Sequence, residues 1–353
     1  MAGAAHAKVT QLAEENLVAV LRKPGEIVLE SRPIPVPKAR EVLVAISSVG
    51  VCGSDVHYYE HGRIGDFVVN APLVLGHESS GIIVGLGEQA KRHVVGERVA
   101  LEPGVPCGTC EECRQGRYNL CSEVAFFATP PIDGALARYV TIHEDFAHRL
   151  PDHVSADAGA LCEPLSVALW ACSKARVGVG ARVAIAGAGP IGAVVSLVAR
   201  AAGATEIVVA DPVAPRRDRM MRLGVDAAVD PSSGGLAGAL PRADVFFDCS
   251  GHPSAIDDGI AALRPAGVAV LVGMCPNPMV ELPLARIQNR EIWVTGTFRY
   301  AHTYPRALAL VASGRVDLDA LVDARFPLEQ AEDALLAARR DPSVLKPLVR
   351  VQD

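Results

Sequence analysis

The chain has 353 residues and a mass of 37.0 kDa, enough for two domains, and half of its residues are hydrophobic, which supports a sizeable core. Its net charge of -6, with mixed signs along the chain and no basic run, argues against a nucleic acid or an anionic membrane as partner. Nine cysteines are too few and too clustered for a disulfide scaffold; four fall between Cys107 and Cys121, which reads as metal ligation plus buried thiols in a reducing compartment.

The first stretch, MAGAAHAKVTQLAEENLVAV, has no charged-then-apolar order and no long apolar run, so neither a signal peptide nor a membrane span is expected, and the default location is cytoplasmic. From Val18 to about Leu150 the pattern is short strands and turns. LVAVLRKPGEIVLESRPIP reads as a hairpin turning at Pro24-Gly25, followed by a Pro-rich connection to the strand EVLVAI. Cys52, beside Gly53, is expected in a tight loop after that strand, and IIVGLG and RVALEPG read as further strands. Such a run without alternating helices suggests a compact, barrel-like β domain.

Near Ala156 the character changes. ADAGALCEPLSVALWACSKA has helical periodicity interrupted at Pro164, and it leads into ARVAIAGAGPIGAVVSLVARAAGATEIVVAD, a strand, glycines, an apolar helix and a strand ending on Asp211. DAAVD, DVFFDCSG, VAVLVGM and EIWVTGTF read as later strands with helical segments between most of them. Strand and helix in alternation predict a parallel, doubly wound sheet. LKPLVRV closes the chain as a strand.

Three motifs carry chemistry. Between Val49 and Gly81 the chain offers a thiol (Cys52), an imidazole (His77) and a carboxylate (Glu78), a soft, a borderline and a hard donor that together suit zinc. Ser54 and His57 in the same stretch can pass a proton, and Asp55 is placed to take the free N–H of His77. Gly76 is expected to let the backbone approach the metal. Cys107, Cys110, Cys113 and Cys121, at C-x2-C-x2-C-x7-C, form a closed four-thiolate shell, the donor set of structural zinc. Finally, Gly187, Gly189, Pro190, Ile191 and Gly192 lie in GAGPIG between a strand and a helix, where the glycines permit a tight turn, close approach to a pyrophosphate and helix–sheet packing. Asp211, about twenty residues on, stands where ribose hydroxyls are accepted and a 2′-phosphate is repelled, so NAD is favoured over NADP. Arg216 and Arg217 nearby read first as solvated surface charge, and they lie close enough to soften that preference.

GHESSGIIVGLG is similar to the signature of zinc-containing medium-chain dehydrogenases/reductases. CGSDVHYYEHGRIGDF, with APLVLGHE after it, more narrowly resembles their polyol branch, the sorbitol and xylitol dehydrogenases. The resemblance covers nearly the whole chain. It implies an α/β protein with a GroES-like β-rich catalytic domain over residues 1–166, carrying a structural zinc lobe at 103–122. A Rossmann-type NAD-binding domain over 167–298 and a return to the catalytic domain over 299–353 complete it. Two zinc ions per subunit, NAD, and a homotetramer (or dimer) are implied as well.

Within that resemblance Cys52 and His77 ligate the catalytic zinc, and the third ligand is open between two carboxylates. Glu163 falls where typical alcohol dehydrogenases carry a second cysteine. Glu78 ligates the metal in some polyol members, leaving Glu163 to bind a zinc-held water. Cys162 reads as a buried thiol, because chain neighbours point apart. A carboxylate in place of thiolate makes a harder zinc, suited to two neighbouring hydroxyls. Ser54 and His57 match the family's proton relay, and Tyr58, Phe126, Thr129, Arg299 and Tyr300 match its substrate pocket, the last two where the domains are expected to meet. The implied reaction is oxidation of a polyol to a ketose with hydride transfer to NAD. Its rivals are a relative acting on L-threonine or a sugar, and an NAD-binding chain without activity.

Overall fold

The computed structural model describes residues 13–275 and 279–352. Residues 1–12, with most of the stretch read as lacking a leader, lie outside the described residues. The chain forms two compact units: one from the segment ending at Glu163 together with Leu318–Ala337 and Lys346–Asp353, the other from Pro164–Asp317 and Ala338–Leu345. Among the described residues no helix is long and apolar enough to cross a membrane.

The first unit is built of β-structure, as the run of short strands predicts. Asn16–Lys23 and Glu26–Arg32 form the antiparallel hairpin, and Gly25 supplies the left-handed residue of its turn at φ 78°. Glu41–Gly50 is the spine of a seven-stranded sheet. One side of it pairs with Glu78–Leu86; along the other, Tyr139–His143 covers its first half and Lys346–Arg350 its end. The register sets Gly50 opposite Glu78 on one side and opposite Leu348 on the other, so residues nearly three hundred positions apart in the chain converge on one strand end. Val42, Val44, Ile46 and Val49 on that strand are fully buried and anchor the core with Val20, Leu75 and Ile83.

Two local expectations differ. Cys52 does not sit in a free loop: it is the N-cap of a helix, Gly53–His61, which ends at Gly62 in the left-handed region. That helix lacks an apolar stripe, so periodicity could not reveal it; the Asp55 carboxylate starts it by taking the Cys52 N–H. Pro164 does not interrupt a helix either. The break falls at Leu161, between Ala156–Ala160 and Cys162–Ala175, and Pro164 lies in the first turn of the second helix, where no intrahelical N–H is needed.

The second unit carries a six-stranded, all-parallel sheet in the spatial order 227–229, 206–210, 182–186, 243–248, 263–271, 293–296. The order runs outward in both directions from Arg182–Ala186 and Ala243–Asp248, so the topological switch lies between those two strands, where such sheets bind ligands beyond the strand C-termini. Leu236, Phe246, Ile260 and Leu263 fill the core on one side of it. Trp293–Gly296 is the outer strand, and Trp293 is 73% exposed.

Candidate active site and metal centres

The end of the Glu41–Gly50 strand, the helix begun by Cys52 and the first residue of Glu78–Leu86 bring Cys52, His77 and Glu78 together, their donor atoms all within 4.8 Å of one another. His77 and Glu78 are buried and Cys52 is partly exposed, so the triplet is reached from one side. Three donors of mixed hardness, one fewer than a closed tetrahedral shell needs, fit a catalytic zinc. Asp55 organises them: Oδ2 accepts the Cys52 N–H at 3.1 Å, Oδ1 accepts the Gly76 N–H at 3.0 Å, and His77 Nδ1 lies 3.5 Å from Oδ1. The other imidazole nitrogen is thereby left as the metal donor. Burial opposes charge on His77, but Asp55 and then Cys52 outweigh it and hold the imidazole well above its ordinary range. Burial likewise opposes charge on Asp55, and His77 beside it nevertheless keeps its carboxyl below the usual value. The site is electron-rich, as a cation site must be.

Gly76 serves a purpose other than the expected one. It sits at φ 85°, and a Cβ there would meet Val49 and Leu136 at 2.8 and 3.0 Å, so its missing side chain makes room for core packing. Gly50 is the glycine next to the donors: a Cβ on it would lie 2.0 Å from Glu78 Oε2.

Glu163 is 5% exposed and stands outside the donor triplet. Cys162 is buried, bonds back to the Ala158 carbonyl at 3.4 Å, and is pushed up to about 12 by burial, an inert thiol as expected. Sequence reasoning missed Lys346. Its Nζ, 2% exposed, lies 2.7 Å from Glu78 Oε1, 2.6 Å from Oε2 and 2.7 Å from the Val51 carbonyl. Burial works against the ammonium, but Glu78 and Cys52 outweigh it and raise Lys346 above the ordinary lysine range. Its one signal in the sequence is a charged residue inside the closing apolar strand.

Ser54 and His57 lie partly exposed on the Gly53–His61 helix, with the His57 ring 5.6 Å from that of His61 and tilted by 52°. Phe126 is buried with its ring 5.8 Å from that of His77, beside the donors. Thr129 follows in a tight turn closed by its N–H on the Phe126 carbonyl. Tyr58 is 4% exposed within the hydrophobic core of the first unit. Arg299 and Tyr300 belong to the second unit, Arg299 with its guanidinium 4.7 Å over the Phe298 ring and Tyr300 packed on Tyr304.

The four-cysteine loop converges as its spacing predicts. Cys110 and Cys113 sulfurs are 3.4 Å apart and those of Cys107 and Cys121 3.6 Å, with the backbone N–H groups of Cys110 and Cys107 directed at sulfur. N–H groups of Thr109 and Cys110 bring the Cys107 thiol down to about 6, toward the thiolate a metal needs. Four sulfurs and no open position make this a structural zinc site.

In the second unit a cavity of about 610 Å³ is lined by Gly187, Gly189, Asp211, Arg216, Ser250 and His252 among others. Gly187, at φ 98°, abuts Cys249 across the switch point, and a Cβ on Gly192 would strike the Gly187 carbonyl at 1.9 Å. Gly189 faces open space and caps the helix Pro190–Ala201 without a side-chain bond, leaving its first N–H groups for an anion. Asp211 accepts the Ala188 N–H and the Val213 N–H, each at 2.8 Å, which ties it to the glycine turn. Arg217 is engaged with Asp230 and the Asp211 carbonyl, whereas Arg216 lines the cavity.

A β-unit with one closed and one open zinc site, and a doubly wound sheet with a dinucleotide turn, define a zinc-dependent dehydrogenase. Residues 38–152 match the alcohol dehydrogenase GroES-like domain and residues 190–313 the zinc-binding dehydrogenase domain. Sorbitol dehydrogenase of Mus musculus is 44% identical over 336 residues, covering 92% of this chain and 93% of that one. L-Idonate 5-dehydrogenase of Escherichia coli superposes with a TM-score of 0.90 at 30% identity, covering 96% of this chain and 98% of that one. A putative zinc-binding dehydrogenase of Sinorhizobium meliloti bound to NADP does so with 0.89 at 30% identity, covering 96% and 100%. The chain belongs to the zinc-containing medium-chain dehydrogenases, and within them it is sorbitol dehydrogenase-like.

Proposed function

We propose that the chain oxidises a polyol, sorbitol, xylitol or a close relative, to the ketose, with NAD as hydride acceptor. The observation that carries this reading is Glu78, a carboxylate completing the donor set with Cys52 and His77. Cys52, His77 and Glu78 would hold a zinc ion, which would supply Lewis acidity to make a substrate hydroxyl more acidic. Ser54 takes the hydroxyl proton and His57 passes it toward solvent; both sit on the helix that Cys52 caps. Phe126 packs beside His77 as an apolar wall of the site, its ring 5.8 Å from the imidazole. The free N–H groups at the start of Pro190–Ala201 hold the pyrophosphate, and the Asp211 carboxylate accepts the ribose hydroxyls and disfavours a 2′-phosphate. Steady-state rates with sorbitol, xylitol, galactitol and L-threonine, each with NAD and with NADP, test the proposal. Turnover of a polyol with NAD is expected, and none with any polyol overturns it. The rival substrate is another secondary alcohol such as a sugar acid, favoured by the fold shared with L-idonate 5-dehydrogenase.

We also propose a homotetramer or dimer. The outer strand Trp293–Gly296 has no charged residue and an exposed tryptophan, and two copies can pair such edges with each other. Light scattering should give two or four chains per particle; a monomer at micromolar concentration rejects it.

A further inference from the structure

Lys346 and Glu78 are among the most deeply buried charges of the first unit, with side chains 2% and 1% exposed. The ammonium donates to the Val51 carbonyl and to Glu78 Oε1, and it lies 2.6 Å from Oε2, a buried oxygen that accepts no hydrogen bond. The pair compensates the charge of Glu78 while leaving Oε2 without a hydrogen-bond donor. Glu78 is confined as well, because Oε2 fills the space that Gly50 leaves beside it. Yet the same carboxylate is one of the three metal donors. Two cations of unlike kind, a divalent ion and an ammonium, therefore address one buried carboxylate. Each of its oxygens has a lone pair for both, so the conflict between them is one of charge.

We infer that Lys346 limits the hold of this site on its metal by keeping Glu78 neutralised when the ion is away. The inference rests on the reading of Cys52, His77 and Glu78 as a zinc site. Two effects of removing the ammonium have the same sign. Without the ion, Glu78 would be an unpaired charge in a buried place, which is costly, so the empty site is destabilised. With the ion, a like charge close to it is gone, so the loaded site is stabilised. Both favour binding. A lysine that only braced the strand would act oppositely, since its loss would loosen Glu78 and weaken the metal.

The test is Lys346→Met, which keeps the length and removes the charge, with Lys346→Gln as a second variant that still donates to the Val51 carbonyl. Zinc affinity is read by competition with a chromophoric chelator, and the four-cysteine zinc in the same molecule serves as the internal standard. The weaker-held zinc is expected to bind about ten- to a hundredfold more tightly in the methionine variant, the range over which neighbours of metal ligands act. Glutamine should shift it the same way by less, and Glu78→Gln should shift it the other way. Unchanged or weaker zinc binding in a charge-free variant that still melts cooperatively overturns the inference and leaves the zinc site standing. A wild-type chain that holds only the four-cysteine zinc overturns both.

Discussion

Cys52→Ser should hold one zinc per chain instead of two, the four-cysteine ion remaining, and should lose activity by about 10³-fold or more, the several kcal/mol a Lewis acid contributes. A serine hydroxyl is far less acidic than a thiol and leaves His77 and Glu78 as the only strong donors. The fold should be untouched, because the bond that starts the Gly53–His61 helix uses the backbone N–H of residue 52 and serine is a favoured N-cap. Metal counting and steady-state rates on one preparation read both quantities. Full activity with two zinc ions in this variant would remove the basis for the mechanism.

Asp211→Ala should have the second large effect. The aspartate is 5% exposed and both its oxygens already accept backbone N–H groups, one from the glycine turn and one from its own loop. Its loss removes the acceptor for the ribose and frees the turn, and each hydrogen bond to a charged group is worth about 1.5–3 kcal/mol. The KM for NAD is expected to rise by about a hundredfold, with NADP gaining relative to it because the repulsion is gone and Arg216 stays in the cavity. Asp211→Asn separates charge from shape: it keeps an acceptor for one N–H and drops the charge. If the asparagine variant prefers NAD as strongly as the parent, charge is not what selects the cofactor.

Much of this was legible in the chain. The four-cysteine loop and the glycine turn depend on residues within fifteen positions of one another, and local spacing shows such groups. The strand–helix alternation after Ala156 gave the parallel sheet in the same way. What stayed hidden depended on pairing at a distance. Lys346 reaches Glu78 because Lys346–Arg350 and Glu78–Leu86 flank the same strand, a register that no local pattern encodes. The Gly53–His61 helix was hidden for another reason: it is held by its caps rather than by an apolar face.

Gly50 has a bearing on any attempt to redirect such an enzyme toward new alcohols. Saturation libraries usually begin with small residues near the reacting centre, and this one is an obvious choice by position. Even alanine there would push against the Glu78 carboxylate, with an ideal Cβ only 2.0 Å from its Oε2. Diversity introduced at position 50 would alter metal loading before it altered selectivity, and screening hits from it should be sorted by zinc content first.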